Sequence, residues 1–329
     1  MVLAGDIGGT KVNLASFSVV SGKLQTQAQA SYPSSDFSCL EDALRRFLSE
    51  HSFSVEAAAF GIAGPVKRNA ALLTNLRWNV QGDSVAKLLE LAQVGLMNDL
   101  VANAFGIAAL QPEDFEVLNA GEPDAEGNQA IISAGTGLGE AGLAWDGQRH
   151  LPVASEGGNT EFAPRTDLDV ELFRYLRAQY GTVIWEYLLS GPGLYNIYRF
   201  LRDTNRSEES PALADEIRAD EKAAPSVISR AALAHQSPRC ELALELFVTY
   251  YGAEASHLAL KYLATGGVFI GGGIAPKIIA KLKDGTFLKA FCQSRYRELL
   301  SAMPVKVILN DKTALLGAAR FAGMQVGLQ

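Results

Sequence analysis

The sequence predicts an α/β protein of about two domains. Strand-like and helix-like patterns alternate along its 329 residues, and this length exceeds that of a typical single domain. Near Ala130 the signals of the N-terminus occur again in the same order: an apolar run, a glycine-rich turn and alternating apolar residues. Hydrophobic residues make up 48% of the chain, a share typical of globular proteins. These observations indicate two halves of similar architecture.

The first half is predicted to begin with strands and to continue with alternating helices and strands. Alternating apolar residues predict a three-stranded meander, with a turn at Ser21-Gly22, over residues 2–7, 12–20 and about 24–31. Apolar residues at helical spacing predict helices within 40–48, 85–92 and 101–110. Short apolar runs predict buried strands at 57–62 and 94–97.

Three further segments are defined by composition. Residues 111–128 are acidic and contain prolines and glycines, so we expect a connection and not a core element. Residues 202–225 are rich in charge and are expected to form a solvated loop with some helix. The alanine-rich residues 313–324 predict a final helix.

Two glycine-threonine turns lie far apart in the chain. Residues 6–11 are DIGGTK, residues 134–139 are AGTGLG, and each turn joins two apolar strands. Glycine lets main-chain N–H groups approach a ligand, and such turns form concave anion sites. Neither turn has Walker A spacing or opens directly into a helix. One such turn is usually a plain hairpin, but the pair indicates a polyphosphate site formed by Gly8, Gly9, Thr10, Lys11, Gly135, Thr136 and Gly137.

A third glycine cluster follows at 266–276, with the sequence GGVFIGGGIAP. An apolar, strand-like run ends in Gly271, Gly272 and Gly273, and a helical pattern comes next. Glycines at such a junction let a flat ligand lie against the main chain. The alternative interpretation is a tight connection between a strand and a helix.

Charge and cysteine content narrow the class of partner and compartment. The net charge is -7 and the pI is about 5.3, so we expect neither nucleic acid nor an anionic membrane as a partner. The three cysteines are widely spaced and predict neither a metal site nor a disulfide framework. The N-terminus lacks a signal-peptide core, and no apolar stretch is long enough to span a bilayer. A cytoplasmic location is therefore expected.

The order of these motifs resembles the superfamily of sugar kinases, heat-shock proteins and actin, and within it the bacterial glucokinase family. The matching blocks cover nearly the whole chain: GDIGGTK at 5–11, AGP at 63–65, TN at 74–75, LMNDL at 96–100, AGTGLG at 134–139, SEGG at 155–158, FAP at 162–164, LSGPGL at 189–194 and GGVFIGGGIAP at 266–276. The resemblance implies two ribonuclease-H-like α/β domains of the actin and hexokinase type with a cleft between them. It assigns residues 1–110 plus 312–329 to a small domain and 111–311 to a large one.

The resemblance also implies an activity, ATP-dependent phosphorylation of glucose at its 6-hydroxyl, and a homodimer. Asp99 follows a predicted strand, where α/β proteins usually bind ligands, although Asp and Asn are also ordinary helix N-caps. The family pattern makes Asp99 the general base and Asn98 a sugar ligand. It also implies Mg²⁺ between the phosphate oxygens, with Asp6 orienting it through water.

The sugar site implied by the resemblance is polar. Glu156 and Glu186 match the sugar-binding carboxylates of the family, and a carboxylate can accept two hydroxyl hydrogen bonds. Gly64 and Pro65 would shape the wall behind the sugar. From the residues alone, Glu156 is equally well a loop charge, and Glu186 a solvated helix position.

One position departs from the family pattern. The family usually has histidine three residues after the first glutamate, whereas this sequence has Asn159. An altered sugar site is therefore expected. The related repressor and kinase family carries a cysteine-rich zinc motif near this histidine, and the motif is absent from this sequence. We therefore expect no structural zinc. Three hypotheses stay open: a glucose kinase using ATP, a kinase for another hexose, amino-sugar or phosphate donor, and a non-catalytic sugar-binding regulator. Asp6, Asp99 and the two turns disfavour the last.

We expect Asn159→His to change sugar affinity or sugar preference, because imidazole is longer than the amide and can become cationic. The expected change in KM is roughly two- to tenfold, the range of one net hydrogen bond. KM values for glucose, mannose, fructose and N-acetylglucosamine measure it. Unchanged affinity and preference would show that this position does not shape the site.

Overall fold

The computed structural model describes residues 1–20, 22–73, 76–123 and 125–328. Ser21 of the predicted turn and the TN block at 74–75 lie outside these ranges. The strands and helices up to residue 114 are β1 (Val2–Ile7), β2 (Lys11–Val20), β3 (Lys23–Pro33), α1 (Leu40–Glu50), β4 (Ala57–Ile62), β5 (Val66–Lys67), β6 (Ala70–Leu73), β7 (Trp78–Gln81), α2 (Gly82–Leu89), β8 (Gly95–Asn98) and α3 (Asp99–Ile107). The predicted α/β order is confirmed.

The rest of the chain continues with strands and a larger share of helix. Its elements are β9 (Phe115–Asn119), β10 (Gln129–Ala134), β11 (Leu138–Trp145), β12 (His150–Ala154), α4 (Asp167–Tyr180), α5 (Gly191–Asp203), α6 (Pro211–Ala219), α7 (Ala224–Leu233), α8 (Pro238–Tyr262), β13 (Gly267–Gly271), α9 (Ile279–Lys283), α10 (Thr286–Phe291), α11 (Arg297–Ala302), β14 (Val305–Ile308) and α12 (Thr313–Gln325). Short 3₁₀ turns include Gly157–Asn159, Trp185–Tyr187 and Ala275–Ile278.

The chain divides into two compact units. Unit 1 comprises Met1–Asp114, Leu151–Ala154 and Asn310–Gln329. Unit 2 comprises Phe115–His150 and Ser155–Leu309. The domain boundaries expected from the sequence, 1–110 plus 312–329 and 111–311, stay a prediction.

Unit 1 is built on a sheet with the strand order β3-β2-β1-β4-β8. The strands β1, β2 and β3 form the predicted antiparallel meander, and β4 and β8 run parallel to β1. Side chains alternate between the faces of a strand, so Leu3 and Leu14 pack with α1 and α2 on one face. Ala4 and Phe17 pack with α3 and α12 on the other.

The last helix, α12, approaches α3 so closely that glycine is required at the contact. A Cβ atom on Gly317 would lie 1.7 Å from the carbonyl oxygen of Ala102. In return, a Cβ on Gly106 would lie 2.0 Å from the carbonyl oxygen of Thr313. Main chain therefore packs on main chain, and the helix covers one face of the sheet of unit 1.

In unit 2, the hairpin of β10 and β11 is likewise followed by parallel strands, β13 and β14. The expectation that residues 111–128 form only a connection is wrong, because β9 pairs antiparallel with β14. All residues of β9 except the exposed Val117 are half-buried, so the strand lacks the fully apolar pattern that would reveal it in the sequence. Asn119 Nδ2 reinforces the pairing by donating to the carbonyl oxygen of Met303 (2.7 Å).

In the described parts of the chain, no helix combines the length and apolar character needed to cross a membrane.

We expect Gly317→Ala to lower the free energy of unfolding by about 1–3 kcal/mol, because the added methyl group forces α12 away from α3. The urea unfolding midpoint, followed by circular dichroism, measures this. Gln325→Ala lies on an exposed position of the same helix and serves as the control, with an expected change within about 0.5 kcal/mol. Equal midpoints for both variants would contradict the close contact.

Candidate active site

The candidate residues of unit 1 lie where parallel strands end. Strands β1, β4 and β8 are parallel, with Asp6 paired to Gly61 and Ile62 paired to Asn98. Their carboxyl ends therefore meet at one edge of the sheet. Asp6 lies near the end of β1, Gly64-Pro65 follows β4, and Asn98 ends β8. Ligands of α/β proteins usually bind at such an edge.

The first glycine turn is anchored at its base and exposed at its tip. The Gly8 N–H donates to the carbonyl oxygen of Lys11 (2.9 Å). Ser34 holds the turn from the side, because its hydroxyl donates to the Gly8 carbonyl oxygen (2.9 Å) and its N–H to that of Thr10 (3.0 Å). Gly9, Thr10 and Lys11 are exposed. This arrangement presents the tip of the turn to a ligand.

Asp6 has the donor atoms that Mg²⁺ prefers. Its carboxylate is half-buried, and Asn13 Nδ2 donates to Oδ2 (3.2 Å). Burial raises the pKa of Asp6, although the hydrogen bond from Asn13 opposes the shift. A bound cation would favour the ionised form. A carboxylate beside an anion-binding turn thus fits a Mg²⁺ ion that keeps part of its water shell.

Asn98 and Asp99 share the start of α3. Asn98 Oδ1 accepts the N–H of Leu100 (2.9 Å), which makes Asn98 the N-cap, and Asn98 Nδ2 donates to the carbonyl oxygen of Gly64 (3.1 Å). Asp99 is the first residue of the helix, and its Oδ1 also accepts from the Leu100 N–H (2.9 Å). The helix dipole favours a negative charge at this end. The cap predicted for Asp or Asn therefore falls mainly on Asn98.

In unit 2, the second glycine turn is tied to two other segments. It closes on itself through the Gly135 N–H, which donates to the carbonyl oxygen of Gly137 (2.9 Å). The Gly191 N–H at the start of α5 donates to the Gly135 carbonyl oxygen (2.8 Å). The Leu138 N–H, just after the turn, donates to Glu186 Oε2 (3.0 Å). The turn is thus fixed between α5 and Glu186.

The third glycine cluster lies directly against the second turn. Gly272 has a φ of +83°, and a Cβ there would lie 2.2 Å from the carbonyl oxygen of Ala134. The buried Tyr251 hydroxyl joins the two strand ends, since it accepts from the Ala134 N–H (3.2 Å) and donates toward the Gly271 carbonyl oxygen (3.3 Å). Burial raises the pKa of Tyr251, so this hydroxyl keeps its proton.

A cavity of about 910 Å³ opens between these glycine segments in unit 2. Apart from the adjoining residues of the chain, no atom of the described residues lies within 4 Å of the Cβ position of Gly135 or Gly273 on its wall, so the main chain is open to a ligand there. Sequence reasoning missed the helical part of the lining, formed by Pro192, Tyr195, Asn196, Pro225, Ser226 and Lys277. Only the LSGPGL block contained a signal, since it includes Pro192.

The structure of unit 2 also connects the candidate sugar ligands. Asn159 Nδ2 lies 3.4 Å from Glu156 Oε2. Both side chains are exposed, with Asn159 at the end of the 3₁₀ turn Gly157–Asn159 and Glu156 just before its start. Glu186 is half-buried in the next 3₁₀ turn. The two turns are joined because the Trp185 N–H donates to the carbonyl oxygen of Thr160 (3.0 Å).

Comparison with known proteins shows the family. The sequence model of the family described as glucokinase matches residues 3–325. The glucokinase of Nostoc sp. is 40% identical over 334 residues, which covers 97% of this chain and 98% of that protein. The crystal structure of a glucokinase from an Antarctic psychrotroph has a TM-score of 0.83 at 30% identity and covers 98% of each chain. A ROK family glucokinase from Streptomyces griseus, solved in complex with glucose and AMPPNP, shares the fold with a TM-score of 0.64 at 19% identity over 98% of this chain and 99% of that one. The predicted resemblance is thus confirmed, and the chain belongs to the glucokinase family.

Proposed function

We propose that the protein transfers the γ-phosphoryl group of ATP to the 6-hydroxyl of glucose. The observation that carries this proposal is the position of Asp99, at the helix N-terminus that follows β8 and on the same sheet edge as the Gly8–Lys11 turn. Relatives at 40% identity are glucokinases. A carboxylate at this place suits the deprotonation of an alcohol close to a phosphate-binding turn.

Asp99 acts as the general base in this proposal. A sugar hydroxyl is a poor nucleophile, and a positioned base that accepts its proton as the new bond forms contributes roughly 10²–10⁴-fold. The remaining acceleration comes from alignment and charge stabilisation, since phosphoryl transfer has a loose, in-line transition state. Asn98 supports the base by fixing the start of α3 and Gly64 together.

The nucleotide is proposed to bind along the three glycine segments. The main chain of Gly8–Lys11 and Gly135–Gly137 holds the phosphates, and Gly271–Gly273 lies beside adenosine. The open wall at Gly135 and Gly273 and the cavity beside it support this assignment, as does the AMPPNP complex of the Streptomyces griseus protein. Mg²⁺, when bound, would neutralise charge on the phosphates. Asp6 would hold it through water.

The sugar is proposed to bind to Asn98, Glu156, Asn159 and Glu186, with Gly64 and Pro65 behind it. Asn159 in place of histidine keeps a second candidate open, a kinase for another hexose or amino-sugar. Following the family expectation, we propose a cytoplasmic homodimer with a small domain formed by 1–110 and 312–329 and a large domain formed by 111–311.

We expect wild-type protein with Mg-ATP to release ADP with glucose, and Asp99→Asn to lower kcat by roughly 10²–10⁴-fold with little change in glucose KM, because the amide cannot accept the proton. Coupled ADP assays with glucose, mannose, fructose, N-acetylglucosamine and no sugar measure this. Asp83→Asn, at an exposed position of α2, is the control. Turnover with another sugar alone would favour the second candidate, and an unchanged kcat in Asp99→Asn would exclude this residue as the base.

Gly273→Val tests the nucleotide cavity. The Cβ position of Gly273 meets no atom within 4 Å, so the variant should unfold at the wild-type urea concentration while its side chain enters the cavity. We expect ATP affinity to fall at least roughly tenfold, or about 1.4 kcal/mol of binding free energy. Titration calorimetry measures the affinity. Gln293→Val, on the exposed surface of unit 2, should bind ATP normally, and normal binding by both variants would contradict the assignment.

A further inference from the structure

Two carboxylic acids that the proposed reaction does not use are buried together in unit 2. Glu140 on β11 is 1% exposed and Glu254 on α8 is 0% exposed. An ionised carboxylate inside a protein is costly unless it is paired. Their partners therefore decide which of them carries a charge.

Two basic side chains lie beside Glu254. His257 Nδ1 lies 2.8 Å from Glu254 Oε2, and Lys261 Nζ lies 3.6 Å from Oε1. Neither side-chain oxygen of Glu140 accepts a hydrogen bond from a donor group of the described residues, and a hydrogen bond between the Glu140 and Glu254 carboxyl groups helps to raise the pKa of Glu140. Burial, and then the negative charge of Glu254, raise the pKa of Glu140 to about 8, while Lys261 opposes the shift. Near pH 7, the raised pKa keeps Glu140 mostly protonated and therefore uncharged.

Glu140 lies directly beneath the candidate sugar loop, Ser155–Asn159. A Cβ on Gly157 would lie 2.0 Å from Glu140 Oε2, so the main chain of the loop rests on this carboxyl group. Gly157 is buried, whereas its neighbour Glu156 and the nearby Asn159 are exposed. A change at Glu140 would therefore move the segment that carries both candidate ligands.

The acid pair is also connected to the 3₁₀ turn Trp185–Tyr187, which carries the second candidate sugar ligand, Glu186. The ring of His257, which is bound to Glu254, lies 5.8 Å from the Trp185 ring in an edge-to-face arrangement. Trp185 precedes Glu186, and its N–H donates a hydrogen bond to the carbonyl oxygen of Thr160, the residue after the candidate sugar loop. The buried acids thus support both carboxylate-bearing turns.

We propose that Glu140 is a positioning residue that works as an uncharged acid, its neutral carboxyl group holding the Ser155–Asn159 loop in the conformation that binds sugar. The proposal rests on the proposed function. Ionisation would place a second negative charge beside Glu254 and against the main chain of Gly157, and like charges repel strongly in a buried site. The loop would then shift, and sugar affinity would fall.

Among the described residues, the charged and titratable groups found to act on Glu140 lie on one helix, α8. These are Glu254 and Lys261, with His257 behind Glu254, and the Tyr251 hydroxyl, whose pKa the charge of Glu140 helps to raise. From the loop, Ser155 contributes only a hydroxyl group near Gly157.

The pH dependence of KM tests the proposal. At pH 9, one unit above a pKa of about 8, roughly a tenth of Glu140 stays protonated. We therefore expect the wild-type KM for the sugar to rise roughly tenfold between pH 7 and 9, with a much smaller change in the KM for ATP. Glu140→Gln mimics the neutral acid and should keep a low sugar KM across this range. Glu208→Gln, at an exposed position of unit 2, should behave as wild type.

A second variant changes the pH at which Glu140 ionises and leaves Glu140 itself in place. Glu254→Gln removes the neighbouring negative charge and leaves Lys261 in place, so the pKa of Glu140 should fall and the rise in KM should begin at lower pH. This comparison tests the proposal even where Glu140→Gln fails to fold. A wild-type sugar KM that is flat to pH 9, or a rise of equal size in Glu140→Gln, would overturn the proposal.

Stability gives a readout that needs no turnover. Because the pKa of Glu140 is raised in the folded state, its contribution to stability is full below its unfolded pKa of about 4.3 and is lost as pH rises through about 8. Glu140→Gln should remove this part of the decline of stability with pH.

If wild-type protein phosphorylates no sugar at any pH, the proposed function fails. Positioning is then judged by amide exchange at Thr160, whose N–H donates to the Gly157 carbonyl oxygen (2.9 Å). Relative to Glu140→Gln, exchange in the wild type should be faster at pH 9, and equal rates would overturn the proposal.

Discussion

The candidate site of unit 2 depends on three residues at the start of β11, Leu138–Glu140. The Leu138 N–H holds Glu186, the Leu138 carbonyl oxygen would meet a Cβ on Gly158 at 2.1 Å, and the Glu140 carboxyl group supports Gly157. The second glycine turn, Gly135–Gly137, immediately precedes these residues. One short piece of strand therefore fixes this turn and the segments that carry Glu156 and Glu186 relative to one another. A site built on a paired strand is held more precisely than one built on loops alone.

In unit 1, a side chain holds the separate segments of the candidate site together. Asn98 caps α3 with its oxygen and holds the Gly64 carbonyl with its nitrogen. Two segments that follow different parallel strands are thereby linked by one amide group. In both units, the side chains proposed to contact ligands are exposed or half-buried, while the groups that orient them belong to regular strands and helix starts. Small changes in these supports are expected to act on affinity before they affect the fold.

Local patterns in the sequence were sufficient to predict the meander, the two hairpin turns and the strand that ends in three glycines, because each is specified by neighbouring residues. They were insufficient where the determining contact is distant. Strand β9 was missed because none of its residues is fully buried and its partner, β14, lies near the other end of unit 2. Glu140 was missed because a charged residue in a strand normally indicates a solvent-facing position, whereas here α8 and the Ser155–Asn159 loop pack against it. Tyr195 of the cavity lies on α5 and Lys277 in the 3₁₀ turn Ala275–Ile278, and the sequence pattern of neither element contains information about a ligand.

The contact between α12 and α3 has a consequence for the order of synthesis. Arg320 on α12 donates to the carbonyl oxygen of Ala108, 212 residues earlier in the chain. At 5–20 residues per second, a ribosome needs about 10 to 40 s to cover that interval. During this time, the sheet face that carries Ala4 and Phe17 lacks the helix that covers it. All of unit 2 emerges before unit 1 can be completed, so the nascent N-terminal half is the part expected to require protection by chaperones.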